Sequence, residues 1–338
     1  MNSLELGNGE LFSKTTPEEA RKWFKEKKSR ALKSKVMGIS EAIKKYVHNG
    51  DYLSTGGFGH IRIPMAALYE IVKQEINNLS VSAHTAIHDV DILLAGNCVK
   101  NVDVSYFTGY ELRPLYSKLG SRLVKEGAIN VVDWSNAALA WRFKAASMGI
   151  SFMPTKTMLG TDTFKVSGAK LVECPFTGEK YCAVPALFPD VAIIHVHRCD
   201  MYGNSQIDGI TVSDYDLARA AKRLIISTEK LIDTEEIRNN PERTIIPYFL
   251  VDAVVEAPYG SHPGEMPYLY YFDEEHIAEY LKATQDETGE KLKTYLKKYV
   301  FGVNNFTEYF ELIGGENKMK LLEEIEKQEI KPSYLWEK

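Results

Sequence analysis

The chain contains 338 residues, 44% of them hydrophobic and 26% charged, and its formal net charge is -5 at pH 7. This composition is that of an ordinary globular protein, and it excludes a disordered chain, a collagen-like repeat and a disulfide scaffold. Because a negatively charged protein repels polyanions, nucleic-acid binding has little support.

No apolar run approaches the roughly 18 residues that a membrane span needs, so we expect no membrane insertion. The first residues, MNSLELGNGELF, lack the charged and then apolar plan of a secretory signal. The four cysteines are widely scattered without a CxxC pair, which suits reduced thiols and gives no zinc knuckle. We therefore predict a cytoplasmic protein.

The N-terminal segment has an unusual local charge. Residues 21–35 hold eight basic side chains against one acid, Glu26. A helix is predicted here, with Thr16 as its N-cap and with Pro17 and Glu19 in its first turn. We favour a solvated helix or a strap on a partner protein over an anion-binding arm.

From residue 36 the sequence alternates short apolar runs with amphipathic helical segments. This alternation predicts an α/β fold with an open, mostly parallel sheet flanked by helices. The predicted strands are DYLSTG, LSVSAHT, NVDVSYF, INVVDWS, DVAIIHVH, RLIIST and VDAVVEAP. The predicted helices between them include SEAIKKYV, PMAALYEIVKQE, SNAALAWRFKAASMG and SDYDLARAAK.

Near Phe272 the sequence changes to helical segments with exposed charge. We divide the chain accordingly into an N-terminal helical extension (1–35), an α/β domain (36–275) and a C-terminal helical extension (276–338). In an open parallel sheet, ligands bind beyond the carboxyl ends of the strands, so the residues that follow the strands are the first candidates for function.

A glycine-rich loop follows the first predicted strand of the sheet, in the stretch NGDYLSTGGFGHIRIP (49–64). It does not fit a dinucleotide fingerprint, because Arg62 occupies the position of the third glycine, and no GKT or GKS follows for a P-loop. What remains is a tight turn at Gly56 and Gly57 and a helix starting near Pro64, whose first amides could face an anionic or polarised group. A plain strand-to-helix turn fits the local sequence equally well.

Three potential metal ligands, His195, His197 and Cys199, would share one face if the strand VAIIHVHRC continues. They could hold zinc, but a fourth ligand is missing. Histidines at the end of a buried strand more often bond to carbonyl groups or line a pocket. We therefore predict no metal site.

Two further histidines, His84 and His88, follow the strand LSVSAHT, with Asp89 and Asp91 close behind. At that edge of the sheet they could orient a carboxylate substrate. A helix N-terminus with acidic residues in its first turn and a solvated histidine fits the same residues equally well.

The chain carries no recognisable nucleophile signature, since GxSxG, a protease-type cysteine and HExxH are all missing. At the end of the strand INVVDWS, Ser135 and Asn136 stand with only Asp133 nearby, so a general base on this chain has poor support but stays an alternative. An α/β chain of this kind is either a binding protein or one half of a composite active site.

The glycine loop is accompanied by three further stretches, PDVAIIHVHRCDMYGNSQIDG, SDYDLARAAK and VDAVVEAPYGSHPGEMP. Together they resemble the alpha subunits of family I CoA-transferases, in particular the glutaconate-type branch, from about residue 36 to about residue 318. The first signature of that family is matched by Asn49, Gly50, Gly56, Gly57, Phe58 and Pro64. Ser54 and Thr55 depart from its apolar stretch, and Arg62 replaces a glycine, as we associate with the glutaconate-like branch.

The resemblance implies a reaction that this chain does not perform alone. In that family a beta-subunit glutamate, in a Ser-Glu-Asn-Gly-type motif, attacks the acyl-CoA and forms a glutamyl-CoA thioester. No such motif occurs in this chain, so we expect no catalytic residue here, a beta-subunit partner and an α2β2 or larger assembly. Coenzyme A would be a substrate, and no bound cofactor is expected. A ring-cleaving hydrolase or a decarboxylase subunit on the same fold is the alternative, and a non-catalytic scaffold is a third interpretation.

The predicted substrate-binding residues fall into two groups. Gly56, Gly57 and Phe58 match the family motif, and they would bring backbone close to the acyl group or the pantetheine end. The others are selected because they follow strands, namely Gly59, His60, His84, His88, Tyr106 and Tyr110. The two tyrosines indicate an aromatic pocket, although alternating aromatic residues in a strand also commonly pack in the core.

Overall fold

The computed structural model describes residues 3–107 and 115–332. Its strands are β1 Ser3–Leu6, β2 Tyr52–Thr55, β3 Leu79–Ser82, β4 Val99–Val104, β5 Asn130–Asp133, β6 Phe152–Thr155, β7 Lys170–Glu173, β8 Lys180–Pro185, β9 Val191–Cys199, β10 Ser205–Gln206, β11 Arg223–Leu231, β12 Thr244–Ile246 and β13 Ala253–Glu256. Its helices are α1 Pro17–Glu26, α2 Ile39–Tyr46, α3 Met65–Lys73, α4 His88–Ala95, α5 Leu119–Lys125, α6 Asn136–Ser147, α7 Asp162–Val166, α8 Asp214–Ala220, α9 Thr234–Asn239, α10 Glu274–Thr284, α11 Glu290–Leu296, α12 Phe306–Leu312 and α13 Gly315–Glu326.

A parallel sheet forms the centre of the molecule, in the strand order β13-β11-β9-β2-β3-β4-β5. Every predicted strand lies in this parallel part, so the predicted α/β fold with an open, mostly parallel sheet is confirmed. The short strand β10 pairs antiparallel with the carboxyl end of β9, at Arg198 and Cys199, and with β12. Strands β2 and β3 are buried along their whole length, because helices cover both faces of the sheet.

The two faces of the sheet carry different apolar cores, as the alternation of side chains along a strand requires. Ile193 and Ile225 belong to the core that contains α2, α3, α4 and α10. Ile194 and Ile226 belong to the core that contains α6 and α8. Each fully buried isoleucine contributes roughly 2 kcal/mol. The continuous apolar runs of the sequence are therefore strands that fill both cores.

A second, antiparallel sheet has the order β1-β7-β8-β6 and was not predicted. Strands β6 and β7 have four residues each, and most of their side chains are exposed or half-buried. Short strands of this kind lack the apolar run or the strict alternation that distinguishes a strand from a loop. The sequence signal was therefore too weak to find this sheet.

The N-terminal helix is shorter than predicted. Helix α1 begins after Thr16, which forms a capping box with Glu19, and it ends at Glu26. The prediction is right for this part and wrong for the basic residues that follow. Lys28 and Lys35 leave the helix because their side chains are buried against the sheet.

Residues 27–37, which we call the N-terminal strap, run along the edge strand β13. Lys28 Nζ lies 2.5 Å from Asp252 Oδ2, and Lys35 Nζ donates to the carbonyl of Tyr248 at 2.5 Å. Backbone hydrogen bonds join the end of the strap to β13. The strap therefore covers an edge strand of its own chain, where unpaired backbone groups would otherwise be exposed.

The C-terminal helices α10 to α12 pack against the α/β part of the chain. Tyr280, Tyr295 and Tyr309 lie in the same core as α3 and α4. Helix α11 starts directly after Gly289, which has a φ of 74°. The proposed domain boundaries stay a prediction. Within the described ranges, no helix is both long and apolar enough to cross a membrane.

Removing the Lys28 ammonium should destabilise the protein. In Lys28→Met the Asp252 carboxylate keeps the N–H of Leu224 as a donor but loses its charged partner. We expect the free energy of unfolding to fall by about 2 to 4 kcal/mol, the usual cost of breaking a buried ion pair. Urea denaturation at pH 7 measures the change. Lys22→Met on the exposed side of α1 is the control, and equal losses in both variants would contradict the buried pair.

Candidate active site

The glycine loop forms a tight turn between β2 and α3. Gly57 has a φ of 84°, and a Cβ atom on it would lie 2.3 Å from the carbonyl oxygen of Ile61, so this position needs glycine. Phe58 and Ile61 each donate their N–H to the other's carbonyl, at 3.0 and 2.9 Å. We call residues 56–62 the glycine turn.

Every amide of the GGFG sequence donates to an acceptor within the protein. The acceptors are the carbonyl of Ile193 for Gly56 (2.9 Å), the carboxylate of Asp214 for Gly57 (2.9 Å), the carbonyl of Ile61 for Phe58 (3.0 Å) and the carbonyl of His84 for Gly59 (3.3 Å). Since each N–H is a single donor, these groups are not presented to a ligand. Phe58 and Gly59 are the residues of this sequence that line the neighbouring cleft. A Cβ atom added to Gly59 would find open space.

A buried ion pair joins the glycine turn to α8. Arg62 has a left-handed φ of 55°, and its Nη1 lies 2.5 Å from Oδ2 of Asp214, the first residue of that helix. The Nη2 group donates to the carbonyl of Ile210 at 2.6 Å. The other oxygen of the Asp214 carboxylate accepts the Gly57 N–H. One carboxylate therefore binds both ends of the turn.

A cleft of about 390 Å³ lies next to the glycine turn. Its walls are Phe58, Gly59, His60, Ile61, Thr85, Ile87, Ser105, Tyr106 and Asn136. These residues follow β2, β3, β4 and β5, so the cleft lies at the carboxyl ends of four neighbouring strands. This is the edge at which ligands bind in open parallel sheets.

Three small polar side chains, Thr85, Ser105 and Asn136, converge in the cleft. The Ser105 hydroxyl donates to Oδ1 of Asn136, and the Thr85 hydroxyl lies 3.4 Å from the same amide. Asn136 is the first residue of α6, where Ser135 caps the helix by accepting a backbone N–H. No carboxylate lines the cleft among the residues that the structure describes. The described site can therefore orient a substrate by hydrogen bonds, but it offers no carboxylate nucleophile.

These three polar residues were not predicted as site residues. Thr85 and Ser105 lie near the carboxyl ends of predicted strands and Asn136 directly follows one, and this was the signal that could have identified them. None belongs to a local motif, however, and they meet because β3, β4 and β5 are neighbours in the sheet.

The structure places the predicted substrate-binding residues in different environments. Phe58, Gly59, His60 and Tyr106 line the cleft, while Gly56 and Gly57 lie behind them in the turn. Tyr106 also packs partly against the main core, and its role in substrate binding stays a prediction. Tyr110 lies outside the described residues.

The structure does not bring His84 and His88 to the cleft. The His84 ring is buried, and its Nε2 shares a hydrogen bond of 2.7 Å with the Ser213 hydroxyl. The His88 ring is fully buried against Tyr280, with ring centroids 4.6 Å apart, and burial lowers the pKa of His88 to about 3. Neither histidine is solvated, because the loop after β3 turns both side chains into the protein.

His60 lines the cleft and stacks on Phe272, with ring centroids 4.3 Å apart. Burial lowers the pKa of His60 to about 4, so its imidazole is neutral near pH 7. A neutral ring can orient a substrate by a hydrogen bond, but it supplies no positive charge.

The histidines of β9 make hydrogen bonds within the protein. His195 is fully buried and bonds to Ser227 and Glu229, at 2.8 and 2.7 Å. His197 Nε2 lies 2.9 Å from a backbone carbonyl, and Cys199 is buried beside them. In the part of the chain that the structure describes, no group of three or more His, Cys, Asp or Glu residues is arranged to hold a metal ion.

Comparison with solved structures defines the fold as that of a CoA-transferase subunit. The crystal structure of glutaconate coenzyme A-transferase from Acidaminococcus fermentans matches with a TM-score of 0.81 and 33% identity, over 86% of this chain and 95% of that chain. The family model described as Coenzyme A transferase matches residues 36–257. This chain therefore belongs to the coenzyme A transferase family.

Two curated relatives confirm the resemblance seen in the sequence. The A subunit of glutaconate CoA-transferase from Acidaminococcus fermentans is 34% identical over 85% of this chain and 94% of its own length. The A subunit of 3-oxoadipate CoA-transferase from Pseudomonas knackmussii is 29% identical over 82% of this chain and 97% of its own length. Because both relatives are A subunits, this chain is also expected to pair with a second, different subunit. A cholesterol ring-cleaving hydrolase subunit of Mycobacterium tuberculosis is more distant, at 28% identity over 77% of this chain.

The two left-handed glycines of the turn should respond differently to substitution. In Gly57→Ala the Cβ clashes with the Ile61 carbonyl, and we expect the free energy of unfolding to fall by about 3 kcal/mol or more. In Gly59→Ala the Cβ meets open space, so only the left-handed backbone costs about 1 kcal/mol. Urea denaturation of both variants measures the difference. Equal stability of the two proteins would contradict the turn described above.

Proposed function

We propose that this chain is the alpha-type component of an enzyme that moves CoA from an acyl-CoA to the carboxylate of a small acid, of the glutaconate or a related type. The observation that carries the proposal is a cleft with polar groups and apolar walls but no described carboxylate. A transferase of this family needs a glutamate nucleophile, and the sequence resemblance assigns it to the beta subunit. The active site is then shared between the two chains.

In the proposed reaction the beta-subunit glutamate attacks the acyl-CoA carbonyl, and the CoA thiolate leaves as a mixed anhydride forms. The thiolate then attacks the glutamyl carbonyl, which releases the first acid and gives the glutamyl-CoA thioester. The acceptor carboxylate attacks this thioester, and the same two steps in reverse deliver the new acyl-CoA. Because water would hydrolyse each activated intermediate, the two subunits must close over the cleft.

The cleft residues of this chain supply the surroundings of that reaction. Phe58, Ile61 and Ile87 provide apolar surface that keeps water away from the acyl group. Ser105 and Asn136 provide polar groups that hold a substrate carboxylate or carbonyl. We further propose that coenzyme A acts as a substrate without any bound cofactor, that the assembly is α2β2 or larger, and that the enzyme works in the cytoplasm.

A ring-cleaving hydrolase or a decarboxylase is the second candidate, and the more distant hydrolase relative favours it. Such a reaction can use a carboxylate on the alpha-type chain as its base. The described cleft offers none, and Asp133, the last residue of β5, is exposed rather than part of the cleft walls. The transferase is therefore the better supported of the two.

The test is CoA exchange by the reconstituted enzyme. This chain is purified alone and together with its beta subunit, and each sample receives an acyl-CoA and a dicarboxylate acceptor. We expect exchange only in the complex, together with inactivation by borohydride after exposure to the acyl-CoA, since borohydride reduces the glutamyl thioester. Release of free acid and CoA without any transfer to the acceptor would show that the enzyme is a hydrolase.

Shortening Asn136 should weaken the transfer reaction in the complex. In Asn136→Ala the substrate loses one hydrogen-bonding group, and we expect kcat/KM to fall by about tenfold, which corresponds to roughly 1.4 kcal/mol. Steady-state kinetics with the preferred acyl-CoA measure the change. Asn130→Ala in β5 is the matched control, because Asn130 is exposed and outside the cleft. An unchanged kcat/KM in Asn136→Ala would exclude Asn136 from the site.

A further inference from the structure

The glycine turn is connected to a distant part of the chain by two successive residues at the start of α8. Asp214 accepts the Gly57 N–H at 2.9 Å through one oxygen and the Arg62 guanidinium at 2.5 Å through the other. Ser213 shares a hydrogen bond of 2.7 Å with the His84 ring, and the carbonyl of His84 accepts the N–H of Gly59 at 3.3 Å. The turn is therefore held at three of its residues by side chains and backbone beneath it.

The Asp214 carboxylate also explains why Gly56 has no side chain. A Cβ on Gly56 would lie 2.7 Å from Oδ1 of Asp214 and 3.0 Å from the Ile194 side chain. Gly56 thus leaves room for the carboxylate, whereas Gly57 allows the left-handed backbone that points its N–H toward that carboxylate. Both glycines serve the contact with Asp214, in addition to any approach by a substrate.

Arg62 combines an unfavourable backbone conformation with a buried charge, and the ion pair with Asp214 compensates for them. Its φ of 55° is one that glycine adopts freely but that arginine adopts at a cost, and its side chain is 0% exposed. A buried guanidinium persists when paired groups compensate for lost hydration. Those groups are the Asp214 carboxylate and the Ile210 carbonyl. The Arg62 guanidinium thus adds a second connection between the turn and α8, beside that of the Gly57 N–H.

We infer that Asp214 and Arg62 are positioning residues for the active site, acting on the reaction through the glycine turn. This inference rests on the proposed transfer reaction. Because the N–H groups of Gly56 to Gly59 are used internally, the turn contributes the position of the Phe58 ring and of His60 beside the cleft. A shift of the turn would move these side chains relative to the polar groups after β4 and β5. Loss of the ion pair therefore affects turnover more than substrate affinity.

The experiment uses the complete complex with two conservative variants and their combination. Arg62→Gly relieves the left-handed strain, but it removes the guanidinium. Asp214→Asn keeps an oxygen for the Gly57 N–H and removes the charge. Lys28→Met is the matched control, since it breaks another buried ion pair, that of Lys28 with Asp252. Asp252 directly precedes β13, which lies at the opposite end of the parallel sheet from β5 and the cleft.

We expect each single variant to lower kcat for CoA transfer by about tenfold or more, with KM for the acyl-CoA changed by less than about threefold. The double variant should lose no more activity than the worse single variant, because both changes disrupt one contact. Lys28→Met should lower the melting temperature and leave kcat unchanged. An unchanged kcat in Arg62→Gly and Asp214→Asn would overturn the inference, and so would an equal loss of kcat in Lys28→Met.

Hydrogen exchange separates this inference from the proposed reaction. Peptides that cover residues 53–63 should exchange at least about tenfold faster in Arg62→Gly than in the unsubstituted complex, and no faster in Lys28→Met. This readout needs no turnover. If the unsubstituted complex transfers no CoA, the proposed function fails, while faster exchange still supports the anchoring of the turn. Unchanged exchange in Arg62→Gly would overturn the anchoring itself.

Discussion

One buried carboxylate, that of Asp214, fixes the geometry at the carboxyl edge of the sheet. It accepts the Gly57 N–H and the Arg62 guanidinium, and all three groups are shielded from water. An unpaired carboxylate in such a place would cost several kcal/mol, so the glycine turn and the start of α8 cannot move independently. The position of Phe58 relative to the ends of the neighbouring strands, and hence the shape of the cleft, depends on this contact.

The fold was largely predictable because its strands are continuous apolar runs. Both faces of β9 and β11 are covered by helices, so a run such as VAIIHV has no polar alternation that could be confused with a surface element. The basic stretch after α1 was mispredicted because a lysine is ordinarily a surface residue. The buried Lys28 ammonium pairs with Asp252, which is more than two hundred residues away in sequence. No local pattern contains that information.

The candidate site was only partly predictable, for a related reason. The glycine turn belongs to a local motif, so the sequence identified it. Thr85, Ser105 and Asn136 come from three separate loops, and their convergence depends on the order in which β3, β4 and β5 pair. His84 and His88 were selected by their place after β3, but this position alone does not show which way a side chain turns. The backbone of the loop turns both rings inward, and His84 supports the glycine turn through its carbonyl.

The use of the glycine amides has a consequence for the proposed chemistry. Negative charge develops on the acyl oxygen during each attack, and backbone N–H groups are a common way to stabilise it. In this chain the amides of Gly56 to Gly59 are already bonded, and the Ser105 hydroxyl donates to Oδ1 of Asn136. Among the described residues, the Nδ2 group of Asn136, held in place at the start of α6, has a long 3.4 Å contact to the Thr85 hydroxyl. In the proposed reaction we therefore assign stabilisation of the oxyanion to this amide group.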